Sequence, residues 1–256
     1  MHKRIGILGY GEVGQSLHAV YQDNNDVKVM IRDVERDDGL SNLDVLNVCI
    51  PYSVNFVDIV KECIEQSSAK LTIIHSTVAL GTTAEISQGT AKEATNVVHS
   101  PVRGVHPNLY ESFNKFVKFV GAESYESAQM AVDHLSKIGM QVEFVGRSIN
   151  SELGKLLSTT YYGMCIAWHG EMHKMCMKVG ADFEQTVTRF NTTYNEGYTD
   201  LGKTNVVRPV LHPPKGKDAY IGGHCIISNT KLLAPTFDST ALKLVMEYKK
   251  QGSISE

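Results

Sequence analysis

The sequence has no apolar run that approaches the roughly 20 residues of a membrane-spanning helix, so a helical membrane protein is excluded. It has no paired Cys-x-x-Cys either. Its five cysteines, Cys49, Cys63, Cys165, Cys176 and Cys225, are scattered through 256 residues. An odd count without a spacing framework implies reduced thiols and a cytoplasmic location. Net charge is small, −3, so no general affinity for nucleic acid or an anionic membrane is expected. There is no internal repeat and no low-complexity tract. The basic start Met1-His-Lys-Arg4 leads into an apolar run that breaks at Gly9, and so it is not expected to be a signal peptide. What is present is a chain of 42% hydrophobic residues, enough for one large core or two modest ones.

The most informative stretch is Gly9-x-Gly11-x-x-Gly14, entered from the short apolar run Ile5 to Leu8. A helical segment follows from Glu12 to about Tyr21. Then a β-like run, Val27 to Ile31, ends in Asp33, 19 residues after Gly14. Strand, glycine turn, helix, strand and acid, in this order, make a dinucleotide-binding unit. Gly9 permits the tight turn, Gly11 lets the backbone approach a pyrophosphate, and Gly14 lets the helix lie close to the strand. The pyrophosphate belongs at the helix N-terminus, beside Glu12 and Val13, where N–H groups and the dipole favour an anion. A carboxylate at Asp33 accepts from a ribose 2′-hydroxyl and repels a 2′-phosphate, which selects NAD. The neighbouring Arg32 is the one group that argues for NADP.

Further along, Leu43 to Ile50 reads as a buried parallel strand closed by Pro51, and its end, with Pro51 and Tyr52, faces a cofactor cleft. Val54 to Gln66 has helical periodicity. Leu71 to Ile74 is a strand running into His75-Ser76-Thr77, and a helix can start after Gly81. Asn96 to Val98 is another short strand. Two more β-like runs, Phe116 to Val120 and Val142 to Val145, flank a helix from about Tyr125 to Lys137. Alternating units of this length predict an α/β fold, a Rossmann-type dinucleotide-binding domain over 1–148 with a mostly parallel sheet. From Ser151 to Gly180 there is no β signal. Leu153, Leu156, Leu157, Met164, Trp168, Met172, Met175, Cys176 and Val179 fall at three- and four-residue spacing. They predict a helix of roughly 28 residues, about 42 Å long, with Ser151 as N-cap and Gly180 as stop. That helix is either the spine of a smaller all-helical domain over 149–256 or a homodimer seam. A second helix is expected from Phe183 to Tyr194, then a Pro- and Lys-rich loop, Arg208 to Lys217, and a closing helix from Thr230 or Ser239 to Lys250.

Several side chains suit chemistry. Lys155 lies in the first turn of the long helix, with Thr159, Tyr162, Ile166 and His169 on the same face. A lysine there can take the proton from an alcohol while hydride leaves, or hold an oxyanion. A solvated surface lysine is the competing reading. Cys225, in Gly222-Gly-His-Cys, can attack an aldehyde as thiolate, with His224, Lys215 and Lys217 as nearby cations. A buried structural cysteine competes. His169 and His173 stand at i and i+4, but the intervening glutamate is not at the zinc-protease position and no third ligand suggests itself, so no metal is expected. The Arg208 loop can bind a phosphate or carboxylate, or simply be solvated.

These segments, in this order, resemble the UDP-glucose/GDP-mannose (nucleotide-sugar) dehydrogenase family over nearly the whole chain. The matching words are the glycine fingerprint with Asp33, Ser76-Thr-Val-x-x-Gly-Thr-Thr83, Ser100-Pro-x-Arg103, Glu152-x-x-Lys155 and Gly222-Gly-His-Cys-Ile226. The resemblance implies oxidation of a sugar C6 alcohol to an acid with NAD. In it Lys155 handles proton and oxyanion, Cys225 is the nucleophile, and Ser76 and Thr77 lie on the cofactor side. Thr159 and Asn229 occupy catalytic positions where the family has asparagine and aspartate. Val102 stands where the family has a glutamate, and Leu80 where it has a proline. The family's third, nucleotide-binding domain would follow the cysteine segment, and the chain ends at Glu256. The resemblance therefore suggests a shortened form acting on a small-molecule hydroxyl substrate. Two other readings stay open: a single-step dehydrogenase of the β-hydroxyacid or prephenate type, which needs no cysteine, and a non-catalytic NAD-binding protein.

Overall fold

The computed structural model describes residues 3–23, 27–89, 96–104, 106–107, 109–214, 220–222 and 224–249. The chain divides into two compact units, Met1–Lys155 and Leu156–Glu256.

The first unit is built on one eight-stranded sheet. Its strands are β1 (Lys3–Leu8), β2 (Val27–Asp33), β3 (Arg36–Asp37), β4 (Val45–Val48), β5 (Leu71–Ile74), β6 (Asn96–His99), β7 (Lys118–Ala122) and β8 (Val142–Phe144), in the order β3-β2-β1-β4-β5-β6-β7-β8. All neighbours run parallel except β2 with β3 and β6 with β7. The helices are α1 (Glu12–Gln22), α2 (Phe56–Ser67), α3 (Thr82–Gln88), α4 (Leu109–Lys115) and α5 (Tyr125–Lys137). They cover both faces. Leu17 and Tyr21 of α1, Phe113 of α4 and Leu135 of α5 close one core over Ile5, Ile7 and Ile73. Phe56 and Val60 of α2 and Ile86 of α3 close the other over Leu46, Val48 and Ile74. Burial on both faces explains why the central strands read as nearly continuous apolar runs rather than alternating ones. Each fully buried side chain of this size contributes about 1.5–3 kcal/mol. The strand order reverses at β1, so the crevice outside the carboxyl ends of β1 and β4 is the place for a ligand.

The Rossmann-type sheet and the helical segment behind it are as expected; several details differ. Arg36–Asp37, for which the sequence offers no β signal, makes the short antiparallel strand β3, whose charged residues pair with Arg32 and Asp33 of β2. The long helix α6 is Ser148–Val179, 32 residues. Ser151 is therefore inside the helix and not its N-cap; the acceptor at the helix start is the Glu123 carboxylate, which takes the Ser148 hydroxyl at 2.6 Å and the Ser148 N–H. Gly180 does end it, with φ +73°.

The second unit contains the later turns of α6, a π-helical turn over Glu184–Thr188, α7 (Arg189–Asp200), α8 (His224–Leu233) and α9 (Thr240–Glu247). The helix expected over Phe183 to Tyr194 thus starts with a π turn and runs on to Asp200. Of the two starts expected for the closing helix, Ser239 is the N-cap of α9 and Thr230 lies inside the separate helix α8; Lys250 lies outside the described residues. Ile226, Val245 and Tyr248 pack with Ala167 of α6. Two helix glycines make room for them. A Cβ on Gly163 would strike Ile226, and one on Gly170 would lie 2.5 Å from the Tyr248 ring. Of the apolar stripe on α6, Leu156 and Cys176 are buried, while Leu157, Trp168, Met175 and Val179 are exposed. Among the described residues no helix is long and apolar enough to cross a membrane.

Candidate functional site

The glycine turn between β1 and α1 has three different reasons for its three glycines. Gly9 has φ +95°, and a Cβ there would sit 2.8 Å from the Ile50 nitrogen. A Cβ on Gly14 would run into the Gly9 carbonyl oxygen, so glycine is what lets α1 lie on the strand. At Gly11 an added Cβ would meet nothing within 4 Å. Gly11 is the N-cap of α1 and makes no side-chain cap, and the first N–H groups of a helix have no intrahelical partner. A bare backbone, outward N–H groups and a helix dipole fit a pyrophosphate.

Asp33, half-buried at the end of β2, accepts from the Tyr10 N–H at 2.5 Å and the Val34 N–H at 2.7 Å. Its carboxylate is thereby locked beside the glycine turn. Arg32 is committed elsewhere, with Nε on Asp37 at 3.0 Å and Nη1 on Gln66 at 2.7 Å. Glu12, in the first turn of α1, is 2.8 Å from His106 Nδ1, and Val13 packs on the core. Pro51 is exposed, and Tyr52 packs on Phe56 with ring centroids 5.3 Å apart. Ser76 Oγ donates to the Ile50 carbonyl at 2.6 Å, joining the loops after β4 and β5, with Thr77 half-buried next to it. Gly9, Gly11, Asp33, Pro51, Tyr52, Ser76 and Thr77 thus lie at the carboxyl ends of β1, β2, β4 and β5.

The first turns of α6 are clamped to the same end of the sheet. His99 Nε2 lies 3.1 Å from the Ser76 carbonyl, which assigns the proton to that nitrogen, and Nδ1 accepts from Ser151 Oγ at 2.8 Å. Burial holds this imidazole neutral, with a pKa lowered to about 3, and the Lys118 and Lys155 charges push the same way. Glu152 is fully buried. Its carboxylate accepts from the Gly81 N–H at 2.6 Å and the Thr83 N–H at 2.9 Å, at the N-terminus of α3. Lys155, half-buried, donates from Nζ to the Val102 carbonyl at 2.8 Å. Val102 itself is buried in the core.

In the second unit Cys225 is exposed and is the second residue of α8, not part of a loop. Asn229, one turn on, is buried and its Nδ2 has no hydrogen-bond partner among the described residues. Thr159 is half-buried. Lys215, Lys217, Gly223 and the His224 side chain lie outside the described residues. His169 is buried with Nδ1 on the Cys165 carbonyl at 2.6 Å. His173 packs edge-on against Phe183, with ring centroids 5.6 Å apart. Among the described residues no three His, Cys, Asp or Glu side chains gather to hold a metal ion. Arg208 stacks over the Tyr194 ring at 4.1 Å, and its Nη1 is buried without a partner among the described residues.

Sequence reasoning passed over a buried polar network. Asn47, within β4, accepts from Tyr21 at 3.3 Å and stands 2.9 Å from His75 Nε2. His134 lies 2.7 Å from the Tyr21 hydroxyl. Lys118 is buried and donates to the Ser100 carbonyl. The signal was a polar residue inside a run otherwise fit for burial, since such a residue must find a partner.

No family model matches the chain. A curated UDP-N-acetyl-D-mannosamine dehydrogenase of Methanocaldococcus jannaschii is 24% identical over 197 residues, 72% of this chain. The chain spans 42% of that relative's length. Among solved structures, a UDP-D-ManNAc dehydrogenase from Pyrococcus horikoshii superposes with TM-score 0.72 at 17% identity, covering 96% of this chain and 68% of that one. A 3-hydroxyisobutyrate dehydrogenase from Mycobacterium tuberculosis superposes with TM-score 0.66 at 15% identity, covering 96% of this chain and 92% of that one. The likeness to the nucleotide-sugar dehydrogenase family carried by the motifs is therefore met again in a curated relative and in solved structures of that fold.

Proposed function

We propose that this chain is an NAD-dependent dehydrogenase of the nucleotide-sugar type that oxidises a hydroxyl group of a small-molecule substrate. The observation that carries the reading is the open space in front of Gly11, next to a locked Asp33 carboxylate and on the same sheet end as Lys155. Gly9, Gly11 and Gly14 would hold the pyrophosphate and Asp33 the adenosine ribose, with Pro51, Tyr52, Ser76 and Thr77 along the cleft. Bound NAD supplies the hydride acceptor. With Arg32 engaged by Asp37 and Gln66, NAD is preferred over NADP.

Lys155 takes the hydroxyl proton as the C–H bond gives up its hydride, leaving an aldehyde. Cys225 adds to that carbonyl as thiolate, and the thiohemiacetal oxygen takes a proton. A second hydride loss, to a second NAD, gives a thioester, and water releases the acid and the thiol. Exposure of Cys225 supports this role, because a nucleophile needs access. The chain acts in a cytoplasm, with reduced thiols, as a homodimer. The exposed Trp168, Met175 and Val179 on α6 support the dimer, as does α7, which buries no residue and exposes Phe190 and Tyr194.

The test is turnover with NAD and UDP-N-acetylmannosamine, comparing wild type with Cys225→Ser. Two NADH per acid from wild type, and one NADH per aldehyde without acid from the variant, are expected. No NADH, and no calorimetric heat with NAD, would overturn the reading. A second reading, single-step oxidation of a hydroxyacid, is favoured by the hydroxyisobutyrate enzyme, whose chain is covered to 92%. It predicts that Cys225→Ser retains full product.

A further inference from the structure

Lys118 is a lysine with 3% exposure at the start of β7. Among the described residues the titratable groups that act on it or that it acts on are Cys49 from the end of β4, His75 after β5, His99 of β6 and Lys155 of α6. None is a carboxylate. The Phe113 ring of α4 lies 5.4 Å from its Nζ. A buried amine without a counter-charge is costly, and a structural role would be served as well by an apolar residue.

Its hydrogen bond suggests what the cost secures. Lys118 Nζ donates to the Ser100 carbonyl, and two residues on Lys155 Nζ donates to the Val102 carbonyl at 2.8 Å. The strand-side ends of this segment are also tied, Ser100 N–H to Ile74 and Val102 N–H to His75, at 2.9 and 3.1 Å. One three-residue turn thus carries a lysine on each of two carbonyls.

We propose that Lys118 is a positioning residue for Lys155: it fixes the Ser100-Pro101-Val102 turn from below, so that the Val102 carbonyl can hold the Lys155 amine in place. The catalytic consequence rests on Lys155 being the group that takes the alcohol proton; the clamp itself does not. Burial, with Lys155 adding to it, pushes the Lys118 amine well below the ordinary lysine range.

The experiment combines NMR of 13C-labelled lysine side chains with kinetics, on the full chain. The Lys155 signals are assigned with Lys155→Arg. In Lys118→Met the Lys155 Cε–Hε signals should collapse to the averaged position of exposed lysines. With UDP-N-acetylmannosamine, kcat should fall about 100-fold while KM for NAD is unchanged. Tm should stay within about 2–4 °C of wild type. Lys118→Gln, which keeps an N–H donor, should retain the Lys155 signals and most of kcat. Unchanged Lys155 signals in Lys118→Met overturn the proposal, as does equal loss in both variants with a large fall in Tm. Full kcat in Lys155→Met would instead overturn the functional reading, and the NMR result would still decide the clamp.

Discussion

The Glu152 carboxylate caps the first turn of α3 from 71 residues away, accepting from the Gly81 N–H at 2.6 Å and the Thr83 N–H at 2.9 Å. Both donors belong to the Gly-Thr-Thr segment that follows the cofactor-side Ser76 and Thr77. Replacing Glu152 by alanine leaves two helix N–H groups without a partner in a dry site. The expected loss is about 3 kcal/mol, and Glu152→Gln, which keeps one acceptor, should lose about half of that. Urea unfolding measures both.

The glycine turn allows fold and cofactor binding to be separated. Gly14→Ala drives a Cβ into the Gly9 carbonyl, which is backbone and cannot swing away. It should lower Tm and abolish NAD binding together. Gly11→Ala meets no protein atom within 4 Å. It should leave Tm unchanged and weaken NAD binding by about 10-fold or more, which is about 1.4 kcal/mol. Calorimetry beside thermal melts distinguishes the two.

Cofactor choice should depend on Asp33 and not on Arg32. Asp33→Asn removes the charge that repels a 2′-phosphate, so the NAD to NADP ratio of kcat/KM should fall by about 10-fold or more. Arg32→Ala should leave the ratio as it is, because that guanidinium already serves Asp37 and Gln66. A collapse of the ratio in Arg32→Ala would contradict this.

Stability should drop on acidification well before the carboxylates titrate. His99 and His134 have folded pKa values of about 3, lowered first by burial, against 6.5 for the ordinary imidazole. Burial moves His75 the same way. Below pH 6.5 the unfolded chain takes up protons that the folded chain refuses, so stability falls with pH down to about 3. Between about pH 7.5 and about pH 5 the first two histidines together should cost about 4 kcal/mol. Urea midpoints across that range test it. A flat profile would mean these rings are protonated in the folded protein.

The sheet was legible because its central strands are buried on both faces, and Ile5 to Leu8 and Leu71 to Ile74 show it as nearly continuous apolar runs. The glycine turn was legible because its three constraints are local. Strand β3 was not, since Arg36 and Asp37 are charged and pair only through their register with β2. Helix α8 was hidden as well. Gly222 and Gly223 read as loop, and the helix gains its footing from Ile226 packing against Gly163, a contact across 63 positions. The clamps on α6 have the same character. Glu152, Ser151 and Lys155 find partners 71, 52 and 53 residues away, which no spacing rule reaches.

Both outermost strands are stubs, two residues in β3 and three in β8. The first is an arginine beside an aspartate. A passing unfolded chain finds too few open N–H and C=O groups there to add itself in register, and it meets charge where it tries. The sheet therefore ends itself at each margin, which protects a concentrated solution of this protein against fibre growth from its own largest element.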